Sequence, residues 1–199
     1  MNSYIFEYQY NKIFGEFLDL SKIKRRSSQM EAIKLRLIQS VFNDLNVSIE
    51  NEVNGKPILR GTNWNVSVSH SNSWLFMQTT PLFQPGIDIE PLREKIFKVA
   101  PRFINETDAK HLHNWPELLG LHVVWGAKEA IYKSYSLKGL DFKKEIFIEL
   151  PKDSFSGNEI KGWIIKNQLK QSFDLKWQLL ANNELLVFIT NAGFPILPK

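Results

Sequence analysis

The chain has 199 residues, 43% of them hydrophobic and 23% charged, and this balance excludes a wholly disordered protein. The chain has 25 Lys and Arg residues and 21 Asp and Glu residues, which gives a formal net charge of +4. A net charge of this size favours an anionic partner only weakly. The chain contains no Cys, which excludes disulfides, thiolate metal sites and a cysteine nucleophile and fits a reducing compartment.

The first ten residues lack a basic segment and contain Glu7 within their apolar stretch, so they do not resemble a signal peptide. The longest uncharged stretch, residues 72–87, is interrupted by Pro81 and Pro85 and is too short to cross a bilayer. We therefore expect a cytoplasmic protein that does not enter a membrane.

The predicted elements follow in chain order. Alternating apolar residues near positions 5–10 indicate an opening strand, and apolar residues at helical spacing predict a helix over 28–45, where Glu31 follows Ser28 as in a capping box. Alternation predicts strands at 66–70, 74–78 and 86–91. Helical patterns follow at 97–103, at 106–113 with Asn105 as the cap, and at 117–136, and the pattern over 145–190 predicts four short strands.

Pro81 and Pro85 mark the join that we predict between two halves. We place the boundary between residues 82 and 83, which gives an N-terminal half of 1–82 and a C-terminal half of 83–199.

Two acidic residues, Asp88 and Glu90, are two positions apart on a predicted strand. Their side chains therefore leave the same face, about 7 Å apart at the backbone. Two acids in this arrangement repel each other without a cation. The alternative is an exposed edge strand whose acids are solvated.

Trp125, Glu129 and Lys133 form one stripe on the predicted helix 117–136, at positions i, i+4 and i+8. The alternative is a surface Glu–Lys pair of little energetic weight, but an indole in the same stripe favours a partly buried cleft. A third carboxylate beside the two strand acids would complete an oxygen site suited to Mg²⁺. Lys128 points about 100° away on the helix, so Lys128→Gln is expected to lower kcat much less than Glu129→Gln.

The histidines give weaker signals. Ser69 and His70 close a predicted strand, where a lone His is more often structural than catalytic. His111 and His113 would point about 200° apart on a helix and could not share an ion.

Five motifs occur in order within residues 22–150. They are residues 55–57 (GKP), 65–71 (NVSVSHS), 86–90 (GIDIE), 102–106 (RFINE) and 125–133 (WGAKEAIYK). Together they resemble the 4′-phosphopantetheinyl transferase superfamily, of the larger, surfactin-synthetase-activating type. The GIDIE and WGAKEAIYK strings at this separation are the most specific part of the resemblance.

The resemblance implies an α+β fold of two similar α/β halves, each a sheet plus a long helix, packed about a pseudo-twofold axis with the active site between them. It also implies a reaction in which the phosphopantetheine arm of coenzyme A is transferred to a serine of an acyl or peptidyl carrier protein, releasing adenosine 3′,5′-bisphosphate. Carrier proteins of this kind are usually acidic, in agreement with the net charge of +4.

The resemblance further implies a role for each matching residue. Mg²⁺ would be held on the coenzyme A pyrophosphate by Asp88, Glu90 and Glu129. Glu129 would also help to deprotonate the serine, directly or through a water, and Lys133 would stabilise the leaving phosphate. The adenosine and 3′-phosphate end of coenzyme A would be bound by Ser69, His70, Lys56 and either Arg25 or Arg26.

Two alternatives remain at this stage. Clustered acids with a Lys also occur in metal-dependent phosphodiesterases and nucleases, although that chemistry usually places the Lys on a strand. A non-catalytic relative that only binds coenzyme A is the second alternative, and the intact acids argue against it. We expect a monomer that binds neither nucleic acid nor membrane.

Overall fold

The computed structural model describes residues 3–8 by their backbone, together with residues 11–17, 28–53, 55–135 and 139–195. Contacts divide the chain into two compact units, Met1–Gln84 and Pro85–Lys199. The division falls beside Pro85, one of the two prolines at which the sequence predicts a join.

The first unit contains one long helix and two antiparallel sheets. Its elements are β1 (Ser3–Tyr8), β2 (Asn11–Phe17), α1 (Ser28–Phe42), β3 (Ser48–Asn51), β4 (Pro57–Arg60), β5 (Asn65–His70) and β6 (Trp74–Thr80). Four strands form a sheet of order β1-β2-β6-β5, and β3 pairs with β4 as a separate hairpin. Strands β5 and β6 confirm the predictions for 66–70 and 74–78.

Helix α1 covers one face of this unit's core. Met30 and Ile38 are buried on it and pack with apolar residues of the strands. The helix ends at Phe42, where the sequence predicts an end at 45, because Asn43 adopts a left-handed backbone with φ of 50°. Leu45, which extended the apolar pattern, is 83% exposed.

The second unit contains a five-stranded antiparallel sheet and the longest helix. Its elements are β7 (Ile87–Pro91), α2 (Lys95–Val99), α3 (Glu106–Ala109), α4 (Glu117–Tyr135), β8 (Ile146–Glu149), β9 (Glu159–Lys166), β10 (Leu169–Leu180) and β11 (Glu184–Ala192). The strand order is β7-β11-β10-β9-β8, so the first strand of the unit pairs with its last. The four strands predicted over 145–190 are confirmed.

Helix α4 lies very close to strands β7 and β11. A Cβ added to Gly86 would overlap the carbonyl oxygen of Ala130, and one added to Gly126 would meet Val187 Cγ2 at 2.8 Å. Position 86 therefore requires glycine, and a larger residue at position 126 would require the Val187 side chain to shift. The glycines of the GIDIE and WGAKEAIYK strings thus allow the helix to approach the strand that holds Asp88.

The segment after α2 is less regular than the sequence predicts. Asn105 caps α3 in a capping box with Asp108, as predicted, but α3 ends at Ala109. A separate 3₁₀ turn follows at Leu112–Asn114. His111 and His113 therefore do not share one α-helix, and the argument from their helical angle does not apply.

Each unit combines one long helix with antiparallel strands, which is the mixed composition that the α+β prediction requires. The pseudo-twofold relation between the halves stays a prediction. In the described part of the chain, no helix has both the length and the apolar character needed to cross a membrane.

Candidate functional site

The two strand acids are the second and fourth residues of β7, whose apolar residues Ile87 and Ile89 are buried in the core. β7 lies at the edge of the sheet and pairs with β11, with Asp88 opposite Val187. Asp88 is nevertheless only 8% exposed and Glu90 is partly buried, so the two acids are not fully solvated.

Lys133 of α4 contacts the same strand. Its Nζ donates to Asp88 Oδ1 at 2.8 Å and to the Ile87 carbonyl oxygen at 2.8 Å. Lys133 thus forms a half-buried ion pair between helix and strand. The structure brings Lys133 and Asp88 together, as the predicted site requires.

Glu129 lies on α4 one turn before Lys133. Burial raises the pKa of Glu129 to about 7, with further upward contributions from the negative charges of Asp88 and Glu90 and an opposing contribution from Lys133. The three predicted ligand carboxylates therefore interact electrostatically. A carboxyl group with this pKa can exchange a proton at neutral pH.

His122 was not singled out by the sequence analysis. It is 3% exposed, and its Nδ1 lies 2.9 Å from Glu90 Oε1. Burial raises the pKa of Glu90, and the hydrogen bond from His122 acts in the opposite direction. The sequence could have indicated His122 as a site residue. It precedes Glu129 by seven residues, about two helical turns, and so lies on the same face of the helix.

The donor chemistry of this site fits Mg²⁺. Asp88, Glu90 and Glu129 offer oxygen atoms only, and their mutual repulsion contributes to the raised pKa of Glu129. Within the described residues, however, no three His, Asp or Glu side chains are grouped closely enough to hold a metal ion by themselves. The ligand set stays a prediction.

Lys128 differs from its predicted environment. It is fully buried, and its Nζ lies 2.5 Å from Asp108 Oδ2. The same Nζ donates to the carbonyl oxygens of Phe103, Phe142 and Ile146 at 2.7, 2.7 and 2.8 Å. The expected effect of Lys128→Gln on kcat stays a prediction, but the substitution is unsuitable as a control because α4 is covered by protein on this face as well.

Aromatic rings surround the same part of α4. Trp125 packs against Phe103 and Phe142, with ring centroids 5.0 and 5.4 Å apart. The indole of the predicted stripe is accordingly half-buried rather than exposed. These contacts fix the segment before Glu129 against the loops that precede α3 and β8.

The predicted coenzyme-binding residues belong to the first unit. Ser69 is 7% exposed and His70 is partly buried at the end of β5. As neighbours on a strand they point to opposite faces, and His70 shares its face with Val66 and Val68, which pack in the core under α1. Their joint role in binding one ligand stays a prediction.

Lys56 is connected to the Ser69 face of β5 through two side chains. Its Nζ donates to Gln84 Oε1 at 2.8 Å, and Gln84 Nε2 donates to Asn65 Oδ1 at 2.9 Å. Burial lowers the pKa of Lys56. The other two predicted ligands, Arg25 and Arg26, lie outside the described residues.

The raised pKa of Glu129 makes folding stability depend on pH. Below the ordinary value of 4.5 the carboxyl group is protonated in both states. Between 4.5 and about 7 only the unfolded chain loses the proton, so stability falls as pH rises, and above about 7 the loss is constant. Glu129→Gln is expected to remove this loss.

Free energies of unfolding in EDTA at pH 5, 6, 7 and 8 measure the effect. The advantage of Glu129→Gln over the wild type should grow by at most about 1.4 kcal/mol per pH unit and then level off. A difference in unfolding free energy between Glu129→Gln and the wild type that stays constant from pH 5 to pH 8 would contradict a Glu129 pKa of about 7.

The second unit therefore combines a mixed helix–sheet scaffold with three carboxylates and a lysine that interact electrostatically. The family model of the 4′-phosphopantetheinyl transferase superfamily matches residues 84–190, more than half of the chain, and the chain belongs to this superfamily. Enzymes of the family use coenzyme A and act on carrier proteins. No curated protein matches the chain significantly.

The matched segment includes the whole acid group and Lys133. The predicted coenzyme-binding residues at positions 25, 26, 56, 69 and 70 precede it. Membership of the superfamily therefore supports phosphopantetheinyl transferase activity. The match that shows this membership covers most of the second unit.

Proposed function

We propose that the chain is a Mg²⁺-dependent phosphopantetheinyl transferase of the larger, surfactin-synthetase-activating type. It transfers the 4′-phosphopantetheine arm of coenzyme A to a serine of an acyl or peptidyl carrier protein and releases adenosine 3′,5′-bisphosphate. The observation that supports this most strongly is the match of residues 84–190 to the superfamily, a segment that contains Glu129 and the ion pair between Lys133 and Asp88.

Glu129 is the proposed base. It takes the serine proton, directly or through a water, while the serine oxygen forms a bond to the phosphorus that bears the pantetheine arm. The bond between that phosphorus and the bridging oxygen breaks, and the electron pair leaves with adenosine 3′,5′-bisphosphate.

Asp88, Glu90 and Glu129 are the residues that would hold Mg²⁺. When bound, the ion neutralises phosphate charge that three carboxylates alone would repel. Lys133 stabilises the negative charge of the departing phosphate, and its ion pair with Asp88 at 2.8 Å limits the positions that its ammonium group can adopt.

The remaining parts of the proposal concern the rest of the chain. Ser69, His70, Lys56 and Arg25 or Arg26 bind the adenosine and 3′-phosphate end of coenzyme A. The protein is a cytoplasmic monomer of two halves related by a pseudo-twofold axis, and its carrier protein is acidic. The formal net charge of +4 agrees with an acidic partner.

Mass spectrometry of carrier proteins tests this function. Apo carrier proteins from fatty-acid, polyketide and peptide synthetases, incubated with the enzyme, coenzyme A and Mg²⁺, should include at least one that gains the phosphopantetheine mass. EDTA should abolish the gain, and excess Mg²⁺ or Mn²⁺ should restore it, because the site offers only oxygen ligands.

Full transfer activity in EDTA would contradict the proposed requirement for Mg²⁺. The absence of transfer to every carrier, together with Mg²⁺-dependent cleavage of a nucleic acid, would favour a phosphodiesterase. Coenzyme A binding without either reaction would indicate the non-catalytic relative.

A further inference from the structure

We infer that His122 is a positioning residue for Glu90: it fixes one oxygen of that carboxylate by donating from Nδ1 and is itself fixed by the backbone of Arg93. The inference rests on the proposed function, in which Glu90 is one of three carboxylates that hold a divalent cation. It assigns a role to a residue outside the motifs that the sequence analysis used.

The hydrogen bonds of His122 bear on the position of its ring proton. Nε2 lies 2.9 Å from the backbone nitrogen of Arg93 and 3.1 Å from the Arg93 carbonyl oxygen, to which it could donate only if it carried the proton. We assign Nε2 as the acceptor of the Arg93 N–H, which is the shorter of the two contacts. A ring nitrogen that accepts a hydrogen bond carries no proton, so the proton of the neutral ring is on Nδ1. Nδ1 therefore donates to Glu90 Oε1 across 2.9 Å.

The ring is held between two elements. His122 belongs to α4, Glu90 to β7, and Arg93 follows the end of β7. The backbone between them is also fixed, because the Leu92 N–H donates to the Asn183 carbonyl oxygen at 2.9 Å. With 3% exposure, His122 has little freedom to leave this position.

The arrangement has a specific consequence for Glu90. One of its oxygens is occupied by His122 at 2.9 Å. A carboxylate with one oxygen fixed presents the other in a limited range of directions. Partners of this kind orient metal ligands, and their loss typically weakens metal binding about 10–100-fold.

A matched set of variants separates the two hydrogen bonds of the ring. The amide nitrogen of Asn is as many bonds from Cα as Nδ1, so His122→Asn retains a donor for Glu90 but loses the Arg93 contact. The amide of Gln extends as far as Nε2, so His122→Gln retains the Arg93 contact but loses the donor. His122→Phe loses both and keeps a planar ring.

The measurement is Mn²⁺ affinity by electron paramagnetic resonance, with coenzyme A present to supply phosphate oxygens and carrier protein absent, and with thermal unfolding to confirm that each variant is folded. We expect His122→Asn within about threefold of the wild type and His122→Gln and His122→Phe about 10–100-fold weaker. The kcat of transfer should follow the same order. If His122→Phe does not fold, the Asn and Gln variants decide the question.

Equal Mn²⁺ affinity of the Gln variant and the wild type would overturn the inference, as would Asn and Gln variants that are equally weak. Both results leave the wild-type enzyme active and able to bind metal, so they are distinct from a failure of the proposed function. A wild-type protein that neither binds Mn²⁺ nor transfers the arm would overturn both.

Discussion

Replacing Glu129 with Gln is expected to lower the kcat of phosphopantetheine transfer by about 10²–10⁴-fold, the usual cost of losing a general base. Gln keeps the shape of the side chain but can neither accept the serine proton nor contribute negative charge to a cation site. The variant should remain folded, because the neutral form is the one that the folded protein favours at position 129. Single-turnover transfer at saturating Mg²⁺ measures the effect.

Glu117→Gln is the matched control. It makes the same chemical change on the same helix, at an exposed position in the first turn of α4. Its kcat should stay within about twofold of the wild type, because an exposed charge outside the site contributes little. A folded Glu129→Gln enzyme within about threefold of wild-type kcat would rule out the catalytic role.

Replacing Lys128 with Gln is expected to lower the free energy of unfolding by about 3–5 kcal/mol, the usual result of removing one partner of a buried ion pair. Burial lowers the pKa of Lys128 and raises the pKa of Asp108, so each charge depends on the other to offset its desolvation. The substitution would leave the Asp108 carboxylate buried without its counter-charge. Urea unfolding at pH 7 measures the loss.

Lys161→Gln provides the comparison, because it breaks an ion pair that is exposed. Lys161 Nζ lies 3.3 Å from Asp174 Oδ1, and the two side chains are 74% and 49% exposed. Its loss should cost no more than about 1 kcal/mol. If Lys128→Gln cost as little as Lys161→Gln, the buried pair would not contribute to stability in the way its contacts indicate.

The periodicity of apolar residues predicted most of the fold. It located α4, the strands β5, β6 and β7, and the four strands that complete the second sheet, because burial on one face imposes a regular spacing. It failed at helix ends. The apolar Leu45 extended the helical pattern of α1 to residue 45, but the left-handed backbone of Asn43 ends the helix before it. The same limit explains the division of residues 106–113 into α3 and a 3₁₀ turn.

The acid group of the candidate site could be predicted, but its hydrogen-bond partners could not. Strand alternation placed Asp88 and Glu90 on one face, and helical spacing placed Glu129 and Lys133 on one stripe. Neither pattern shows which residues of other elements lie opposite. The ion pair of Lys133 with Asp88 and the bond of His122 to Glu90 depend on how α4 packs on β7, which is set by contacts distant in sequence.

The same reasoning explains why the burial of Lys128 could not be predicted. A helical wheel gives the angle between neighbouring side chains, and Lys128 does point away from Glu129. The wheel does not show that α3 and the loops before α3 and β8 cover that second face. A lysine in an apolar helix became a buried charge because Asp108 and three carbonyl oxygens surround it.

The close approach of Gly86 to the Ala130 carbonyl oxygen limits which acidic residues can replace Glu129. Ala130 is the residue after Glu129, and the backbone there cannot move nearer to β7, since it already occupies the space of a Cβ atom. The distance from helix to strand acids must therefore be spanned by side-chain length alone. Aspartate at position 129 would leave its carboxylate one methylene short with no helix movement available to compensate, so the two acidic residue types are not interchangeable here.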